Sequence, residues 1–517
     1  MNLKQPSVRA TVIRVFFFTF LFGFAAHAFR YFSLGYSHDS ISVFQNDALW
    51  QISLGRFLQP VYLMLRGRLC APFLIGLFSL TFLALALCLM VNLLKIKSLT
   101  VIAVLCGIFA TAASVSLANA TYISWTDIFM LAFLASVLSV FFQRRYKYGF
   151  FPGALMVAVS LALYQSFFEV AAVLSLILLI KDCLDGLPAK SILVRGVKAL
   201  ASLLIGLAIY YICLQVVVSR VNIDLSATYN GIANVGDYSG KSIPRLLVIT
   251  YLFPFRSIAS PLTFHPVLSA VVNIGMLVLA AAALVRTCLR KKPAKLNVLL
   301  LILFVLLIPL GMNAVYFISK EMKHALMTYS FCFLYVFAFV PLEYGADATA
   351  LQRNPDSRSG TRTPRNFVRI IMVAATGILI LNNIVYANQL YLKKELEYQA
   401  TLSTMTRIVD RIEQADGYIL QETPVAIIGS LNESVLAVER PGFTFQDALG
   451  MELTYSVTYP DTYNAYFSNI LGYPINLVAD REQIAGYENL AQVQSMPAFP
   501  ASGCCAMLDG VLIVKLS

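Results

Sequence analysis

Long apolar blocks separated by short basic segments occupy the first three quarters of the chain. As helices rising about 1.5 Å per residue, blocks of ~18–25 residues match the roughly 30 Å hydrocarbon core of a bilayer. The blocks are Val12–Phe32, Pro72–Leu94, Leu99–Leu117, Ile128–Phe142, Leu200–Val218, Pro266–Val285, Leu296–Ile318, Ala325–Leu342 and Ile370–Ala387. The pattern predicts an α-helical polytopic membrane protein.

One further block, Phe151–Ile180, has a basic residue at each end, Lys147 and Lys181. As a single helix it would be about 45 Å long, and one basic flank would lie outside the cell membrane. A hairpin of two short helices that turns at Tyr164–Ser166 resolves both problems. With this hairpin the chain makes about eleven crossings.

Composition and charge placement agree with this topology. The chain is 59% hydrophobic and 13% charged, whereas a soluble domain is about one quarter charged. The net charge of +12 comes from basic residues between apolar blocks, where Lys and Arg mark cytoplasmic loops. Lys4, Arg9 and Arg14 precede the first block, which predicts a cytoplasmic N-terminus. We therefore expect membrane lipids around the chain and no nucleic acid.

The composition changes after Asn388. Leu390–Gln414 has the pattern of a charged amphipathic helix, and Pro424–Gly429 and Val511–Val514 have that of short buried strands. The sequence therefore predicts a transmembrane domain over residues 1–388 and a small α/β domain outside the membrane over residues 389–517.

Ionisable residues between the blocks are candidates for chemistry, since no Walker, dinucleotide-loop, HExxH or GxSxG motif is present. Asp39 and Asp47 lie in the first predicted external loop, next to His38. A carboxylate there can act as general base toward a sugar hydroxyl. The alternative is a solvated loop aspartate or a helix cap, and the sequence leaves both open.

Cations on the same predicted face can bind a lipid phosphate or simply face lipid headgroups. They are Arg56, Arg66, Arg68, Arg256, Lys320, Lys323 and His324. Lys320 and Lys323 are notable because they break the charge asymmetry of the loops. Neutralisation within their own loop is an equally good interpretation.

Glu169 lies inside the hairpin block, and an ionisable residue there either lines a cavity or forms a structural pair. We group it with Tyr164 and Gln165 as candidates that line a donor cavity. His27 reads as a packed, hydrogen-bonded histidine and Asp127 as a helix cap. The nine cysteines show no metal-binding spacing.

Several short motifs occur in an order that resembles one known family. They are Ser37-His38-Asp39, Gly55-Arg56 with Pro60, Tyr164-Gln165-Ser166, Ala387-Asn388-Gln389 and the final Val514-Lys515-Leu516-Ser517. The chain resembles the bacterial O-antigen glucosyltransferases that convert lipopolysaccharide serotype, the glucosyltransferase II-like family. This resemblance implies a GT-C-type fold and a hexosyltransferase of the inner membrane.

The resemblance also implies substrates and partners. The donor would be undecaprenyl-phosphate glucose, made by a separate glucosyltransferase and moved to the periplasmic face by a flippase. The acceptor would be O-antigen, with no cofactor and no divalent metal required. The family's catalytic acid in the first external loop corresponds to Asp39. Because some relatives have paired acids there, Asp47 stays a second candidate.

Two other classes remain open at this stage. An O-antigen flippase or polymerase-like protein would also bind undecaprenyl lipids through external cations, but it would not need the C-terminal domain. A secondary transporter would show inverted repeats with broken helices in matching positions. The sequence offers one candidate hairpin and no matching partner, which favours the glycosyltransferase.

Overall fold

The computed structural model is mainly helical. It describes residues 6–42, 47–227, 232–233, 235, 238, 242–319, 324–343, 364–440, 442–443, 445, 448 and 450–517. Its longer helices are α1 Pro6–Phe32, α2 Ala48–Ser53, α3 Leu58–Arg66, α4 Pro72–Leu94, α5 Leu99–Thr111, α6 Ala113–Thr121, α7 Thr126–Arg145, α8 Phe150–Leu163, α9 Phe168–Leu184, α10 Ala189–Val221, α11 Ile243–Ala259, α12 Pro266–Lys291, α13 Lys295–Met312, α14 Ala314–Ser319, α15 Phe333–Glu343 and α16 Pro364–Glu413.

Eight helical segments among the described residues are long and apolar enough to cross a membrane. They are Val8–Phe32, Pro72–Leu94, Leu99–Thr121, Ile123–Arg145, Ala189–Val221, Pro266–Lys291, Lys295–Met312 and Phe367–Glu413. The other three predicted crossings coincide with shorter helices: α8, α9 and the segment Ala325–Glu343. The chain is thus a polytopic membrane protein.

The predicted hairpin is confirmed. Helices α8 and α9 are separated by a break at Tyr164 and a short 3₁₀ turn, Gln165–Phe167. Near the end of α9, Asp182 forms ion pairs with Arg144 and Arg195. Arg144 lies at the end of α7, just before α8 begins, so α9 returns to the side from which α8 started. The Tyr164 turn therefore lies at the opposite end of the bundle, the end that also carries Asp39.

Helices α2 and α3 lie at this Asp39 end between α1 and α4. In α3 the side chains of Gln59 and Leu63 are buried, whereas Met64 and Leu65 are exposed. Exposed apolar side chains on an amphipathic helix between two membrane spans suit the boundary between headgroups and acyl chains. The helix pair thus forms a shelf next to Asp39 at the membrane surface.

Helix α16 is one continuous helix of 50 residues. Its first part is apolar and packs on α1, α5, α6 and α12, and its second part is charged. No break occurs at Asn388, where the composition changes. The last membrane span and the predicted amphipathic helix are therefore a single rod that extends beyond the bundle.

A small α/β module packs on the charged part of α16. Its sheet has four strands in the order β2-β1-β4-β3, with β1 Pro424–Ile428, β2 Asn476–Leu477, β3 Cys505–Leu508 and β4 Val511–Lys515. β1 is parallel to β2 and β4, and β3 is antiparallel to β4. Three short helices, α17 Pro460–Ala465, α18 Arg481–Glu488 and α19 Ala491–Ser495, complete the module. Both strands expected from the sequence are present.

The module docks on the loop that follows α1, residues 33–42, which we call the Asp39 loop. Ser456 Oγ donates to the Tyr36 carbonyl over 2.8 Å, and Asn469 Nδ2 donates to the Ser42 carbonyl over 2.8 Å. Glu395 on α16 accepts from the Gly35 amide over 3.1 Å. These contacts join residues about 360 to 430 positions apart in the chain, so the module is part of the same folded body.

Candidate active site

The Asp39 loop is fixed by hydrogen bonds of its own and by the end of α6. The Ser40 amide donates to the Ser37 carbonyl over 3.0 Å, and the Ser37 amide donates to Ser40 Oγ over 3.0 Å. The Ser37 hydroxyl donates to the Thr121 carbonyl. This turn places Asp39 beside a short 3₁₀ turn, Ile123–Trp125, at the start of α7. Trp125 Nε1 donates to Asp39 Oδ2 over 3.0 Å.

The surroundings of Asp39 raise the pKa of its carboxyl above the usual value of an aspartate. Burial raises the pKa of Asp39 to about 6, and the charge of Asp47 adds to the rise. The Trp125 hydrogen bond and the positive charge of Arg56 act in the opposite direction on this pKa. At pH 7 the group is mostly ionised yet basic enough to accept a proton, as a general base requires.

Arg56 is held against the hairpin turn. Its guanidinium carbon lies 4.9 Å from the centre of the Tyr164 ring, a cation–π distance. The Tyr164 ring is itself packed on Phe129, with centroids 4.4 Å apart. Among the residues that the structure describes, the buried Nε of Arg56 has no hydrogen-bond partner. A buried donor without a partner is costly, and a bound anion would satisfy it.

Gly55 sets the turn that delivers Arg56. Its φ is +80°, and an added Cβ would lie 2.4 Å from the Tyr210 hydroxyl and 2.9 Å from Gln165 Nε2. Gln165 Nε2 donates to the Leu54 carbonyl over 2.8 Å. Gln165 therefore ties the hairpin turn to the α2–α3 shelf and fixes the backbone next to Arg56.

Arg66 forms a buried ion pair with Asp127, which follows closely after Trp125 in the chain. The sequence did not predict this pairing. Arg66 Nη1 is 3.4 Å from Asp127 Oδ2, and both side chains are almost fully buried. Tyr62 donates to the same carboxylate over 2.9 Å, and Asp127 Oδ1 accepts from the Ile128 amide over 2.9 Å. The expectation that Asp127 caps a helix was wrong, because Trp125 is the N-cap residue of α7 and Asp127 lies inside its first turn, where it anchors α3 through Tyr62 and Arg66.

The module borders the site through Gly450, which contacts His38 of the Asp39 loop, and through Tyr459. A Cβ on Gly450 would lie 3.0 Å from His38 Cε1, so the two residues are in contact. Burial lowers the pKa of His38 to about 4, and the charge of Lys394 lowers it further. His38 is therefore neutral at pH 7. Burial raises the pKa of Tyr459, and the charges of Asp39 and Asp47 contribute to the rise, which reflects their proximity.

Glu169 is fully buried within the bundle. Its Oε1 accepts from the Val315 amide over 3.1 Å at the start of α14, and its Oε2 accepts from Ser330 Oγ over 2.9 Å. A carboxylate at a helix N-terminus is a favourable arrangement. Glu169 thus tethers α9 to the α13–α14 junction.

Of the remaining candidates, Asp47 lies close enough to Asp39 to raise its pKa, and the others lie elsewhere. Asp47 is exposed and immediately precedes α2, and Arg256 is exposed on α11. His324 begins the 3₁₀ segment Ala325–Cys332, and Lys320 and Lys323 lie outside the described residues. Within the described part of the chain, no three His, Cys, Asp or Glu side chains converge on a point where a metal ion could bind.

His27 has the environment expected from the sequence. Its ring nitrogens lie 2.6 Å from the Tyr391 hydroxyl and 2.8 Å from the Ala110 carbonyl oxygen. This packed histidine joins α1 to α5 and α16. It serves the bundle and lies outside the cluster formed by Asp39, Arg56, Tyr164 and Gln165.

Comparison with known proteins gives one match. The family model described as Glucosyl transferase GtrII matches residues 29–342, which is more than half of the chain. The matched range includes Asp39, Arg56, Trp125 and the hairpin turn. No curated protein and no solved structure matches the chain.

Proposed function

Because the chain belongs to the GtrII glucosyltransferase family, we propose that it glucosylates O-antigen from a lipid-linked donor. The donor is undecaprenyl-phosphate glucose, and the acceptor is a lipopolysaccharide repeat unit at the periplasmic face of the bacterial inner membrane. The observation that carries the proposal is the position of the Asp39 carboxylate, which is held by Trp125 at the same end of the helix bundle as Arg56 and the Tyr164 turn.

The proposed reaction is a single displacement at C1 of the glucosyl group. An acceptor hydroxyl oxygen attacks C1, and the Asp39 carboxylate takes the hydroxyl proton. The bond between C1 and the phosphate oxygen breaks, and its electron pair leaves with undecaprenyl phosphate. The charge on the leaving phosphate is stabilised by Arg56, whose buried Nε has no acceptor among the described residues. Asp47, which is exposed beside the same loop, is the second candidate base.

The shelf of α2 and α3 supports a lipid-linked donor. Its exposed apolar side chains would lie in the acyl-chain boundary, while Arg56 faces the interior of the site. The phosphate of the donor then lies where headgroups lie, and the polyprenyl chain remains in the bilayer. Lys320 and Lys323 are proposed as further phosphate contacts, with Tyr164 and Gln165 bordering the donor cavity and the buried Glu169 holding α9 against α14.

This function requires one orientation of the chain in the membrane. The Asp39 end and the C-terminal module would be periplasmic, and the N-terminus cytoplasmic, in keeping with Arg9 and Arg14 before the first span. The donor has to be made on the cytoplasmic face and moved across. The protein would therefore act together with a donor-synthesising glucosyltransferase and a flippase.

A transfer assay tests the proposal. Purified protein in lipid nanodiscs is incubated with O-antigen oligosaccharide and radiolabelled glucose, supplied either on undecaprenyl phosphate or on a nucleoside diphosphate. We expect label in the oligosaccharide only with the lipid-linked donor. Transfer from the nucleotide sugar, or transfer from neither donor by folded protein, would contradict the proposal.

A further inference from the structure

A pocket lies between the charged part of α16 and the module residues 438–440, 443, 445 and 451–454. Lys393 and Glu397 on α16 form one side, and Arg440, Phe443 and Glu452 are among the residues of the other side. The floor includes Met451, which follows directly on Gly450. Gly450 contacts His38 of the Asp39 loop. The pocket residue Met451 is therefore the chain neighbour of a residue that contacts this loop.

The walls of the pocket are well anchored. Phe445 packs on Tyr386 of α16, with ring centroids 5.9 Å apart. Glu397 is almost fully buried and accepts from Lys394 Nζ over 2.9 Å, and Lys394 also donates to the Gly450 carbonyl. The α16 side and the Gly450 segment are therefore held together by the hydrogen bond from Lys394 to the Gly450 carbonyl, while the Lys394–Glu397 ion pair lies within α16.

The lining combines an aromatic ring with several hydrogen-bonding groups. Phe443 offers an apolar face, while Glu452, Thr454 and Arg440 offer acceptors and donors around it. Apolar faces with a few convergent polar groups suit a ligand that is itself amphipathic, as a sugar ring is. The lining holds the carboxylates Glu397, Glu439 and Glu452 against the cations Lys393 and Arg440. Three carboxylates against two cations leave one excess negative charge in the lining, which disfavours a phosphate.

We propose that this pocket is a saccharide subsite that binds the acceptor glycan beyond the sugar that reacts at Asp39. The inference rests on the proposed glycosyl transfer. An acceptor built of linked sugars extends well past its reacting hydroxyl, and the pocket lies directly alongside the loop that carries the base. Binding there would fix which residue of the repeat unit reaches Asp39.

Two variants test the subsite in the full-length protein. Phe443→Ala removes the stacking face, and Glu452→Gln removes a charge while keeping the size of the side chain. Tyr487→Ala, on α18 away from the pocket, is the matched aromatic control in the same module. The readouts are the KM for O-antigen oligosaccharide, the KM for the lipid-linked donor, and oligosaccharide binding by calorimetry without donor.

Loss of one stacking or charged contact should raise the acceptor KM and the dissociation constant about ten-fold. The donor KM should stay unchanged, and Tyr487→Ala should behave like the wild type. An unchanged acceptor KM in both pocket variants would overturn the subsite and leave the proposed function standing. If the wild type shows no transfer, the calorimetry decides: binding that both pocket variants weaken supports the subsite, and binding they leave unaltered overturns it.

Discussion

Asp39 is a carboxyl group whose ionisation is set by three neighbours. Burial and Asp47 raise its pKa, and Trp125 and Arg56 lower it, which leaves the pKa at about 6. The group is therefore the ionised base above this pH and the protonated, inactive form below it. Transfer should accordingly fall as the pH drops through about 6.

Trp125→Phe tests this account of the pKa. The indole N–H stabilises the ionised carboxylate, so its loss disfavours ionisation and raises the pKa of Asp39. The acidic limb of kcat/KM against pH should therefore move to higher pH, while the rate at high pH falls much less. Trp50→Phe is the control, because the Trp50 side chain is exposed on α2. A limb that stays in place or moves to lower pH would refute the role of Trp125.

The sequence indicated part of this cluster. Asp39, Arg56, Tyr164 and Gln165 were candidates because they are polar or charged groups near the ends of apolar blocks. Trp125 was missed as a partner of Asp39 because a tryptophan beside a helix start is also an ordinary packing residue. The buried partner of Arg66 was missed because a sequence does not tell which carboxylate a buried arginine reaches.

Among the elements, the α8–α9 hairpin was predictable because bilayer thickness and basic flanks leave few alternatives. The role of Glu169 within this hairpin was less predictable from the sequence. The residue bonds to the Val315 amide and to Ser330, at a junction that breaks the expected block Leu296–Ile318 into α13 and α14. Only the packed structure brings this broken helix to the hairpin.

Glu169→Ala should therefore act on stability. It leaves the Val315 amide without its acceptor, whereas Ser330 Oγ keeps the Met312 carbonyl as an acceptor, and the loss costs roughly 1–3 kcal/mol. Thermal unfolding in nanodiscs should show a lower melting temperature, with the exposed Asp185→Ala as control. Unchanged melting combined with a raised donor KM would instead indicate that Glu169 acts in the donor cavity.

At the scale of the whole molecule, the module and the membrane bundle meet at the Asp39 loop. The contact is sealed by Lys394, which is fully buried, paired with Glu397 and bonded to the Gly450 carbonyl. Two of the four strands of the module, β1 and β4, were evident from short apolar runs. Its docking was not, because contacts such as that of Ser456 with Tyr36 span 420 residues and depend on the tertiary fold.

Lys394→Met tests the importance of this junction. The change leaves Glu397 as a buried charge with less compensation, at a cost of about 3–5 kcal/mol. Both the melting temperature and transfer should drop, because the Asp39 loop loses its support. Lys181→Met, which breaks an ion pair four residues apart on α9, should cost well under about 1 kcal/mol. Equal melting temperatures for the two variants would contradict this role of Lys394 at the junction.

The most direct measurement of the central claim is the transfer rate of Asp39→Asn from radiolabelled undecaprenyl-phosphate glucose to O-antigen oligosaccharide, with Asp47→Asn as the matched control. Asparagine keeps the size of the side chain and cannot take the proton, so the rate should fall by about 100-fold or more. The donor KM and the melting temperature should be retained, and Asp47→Asn should stay near the wild-type rate. Wild-type transfer by Asp39→Asn would contradict the account, and its loss in Asp47→Asn alone would move the base to Asp47.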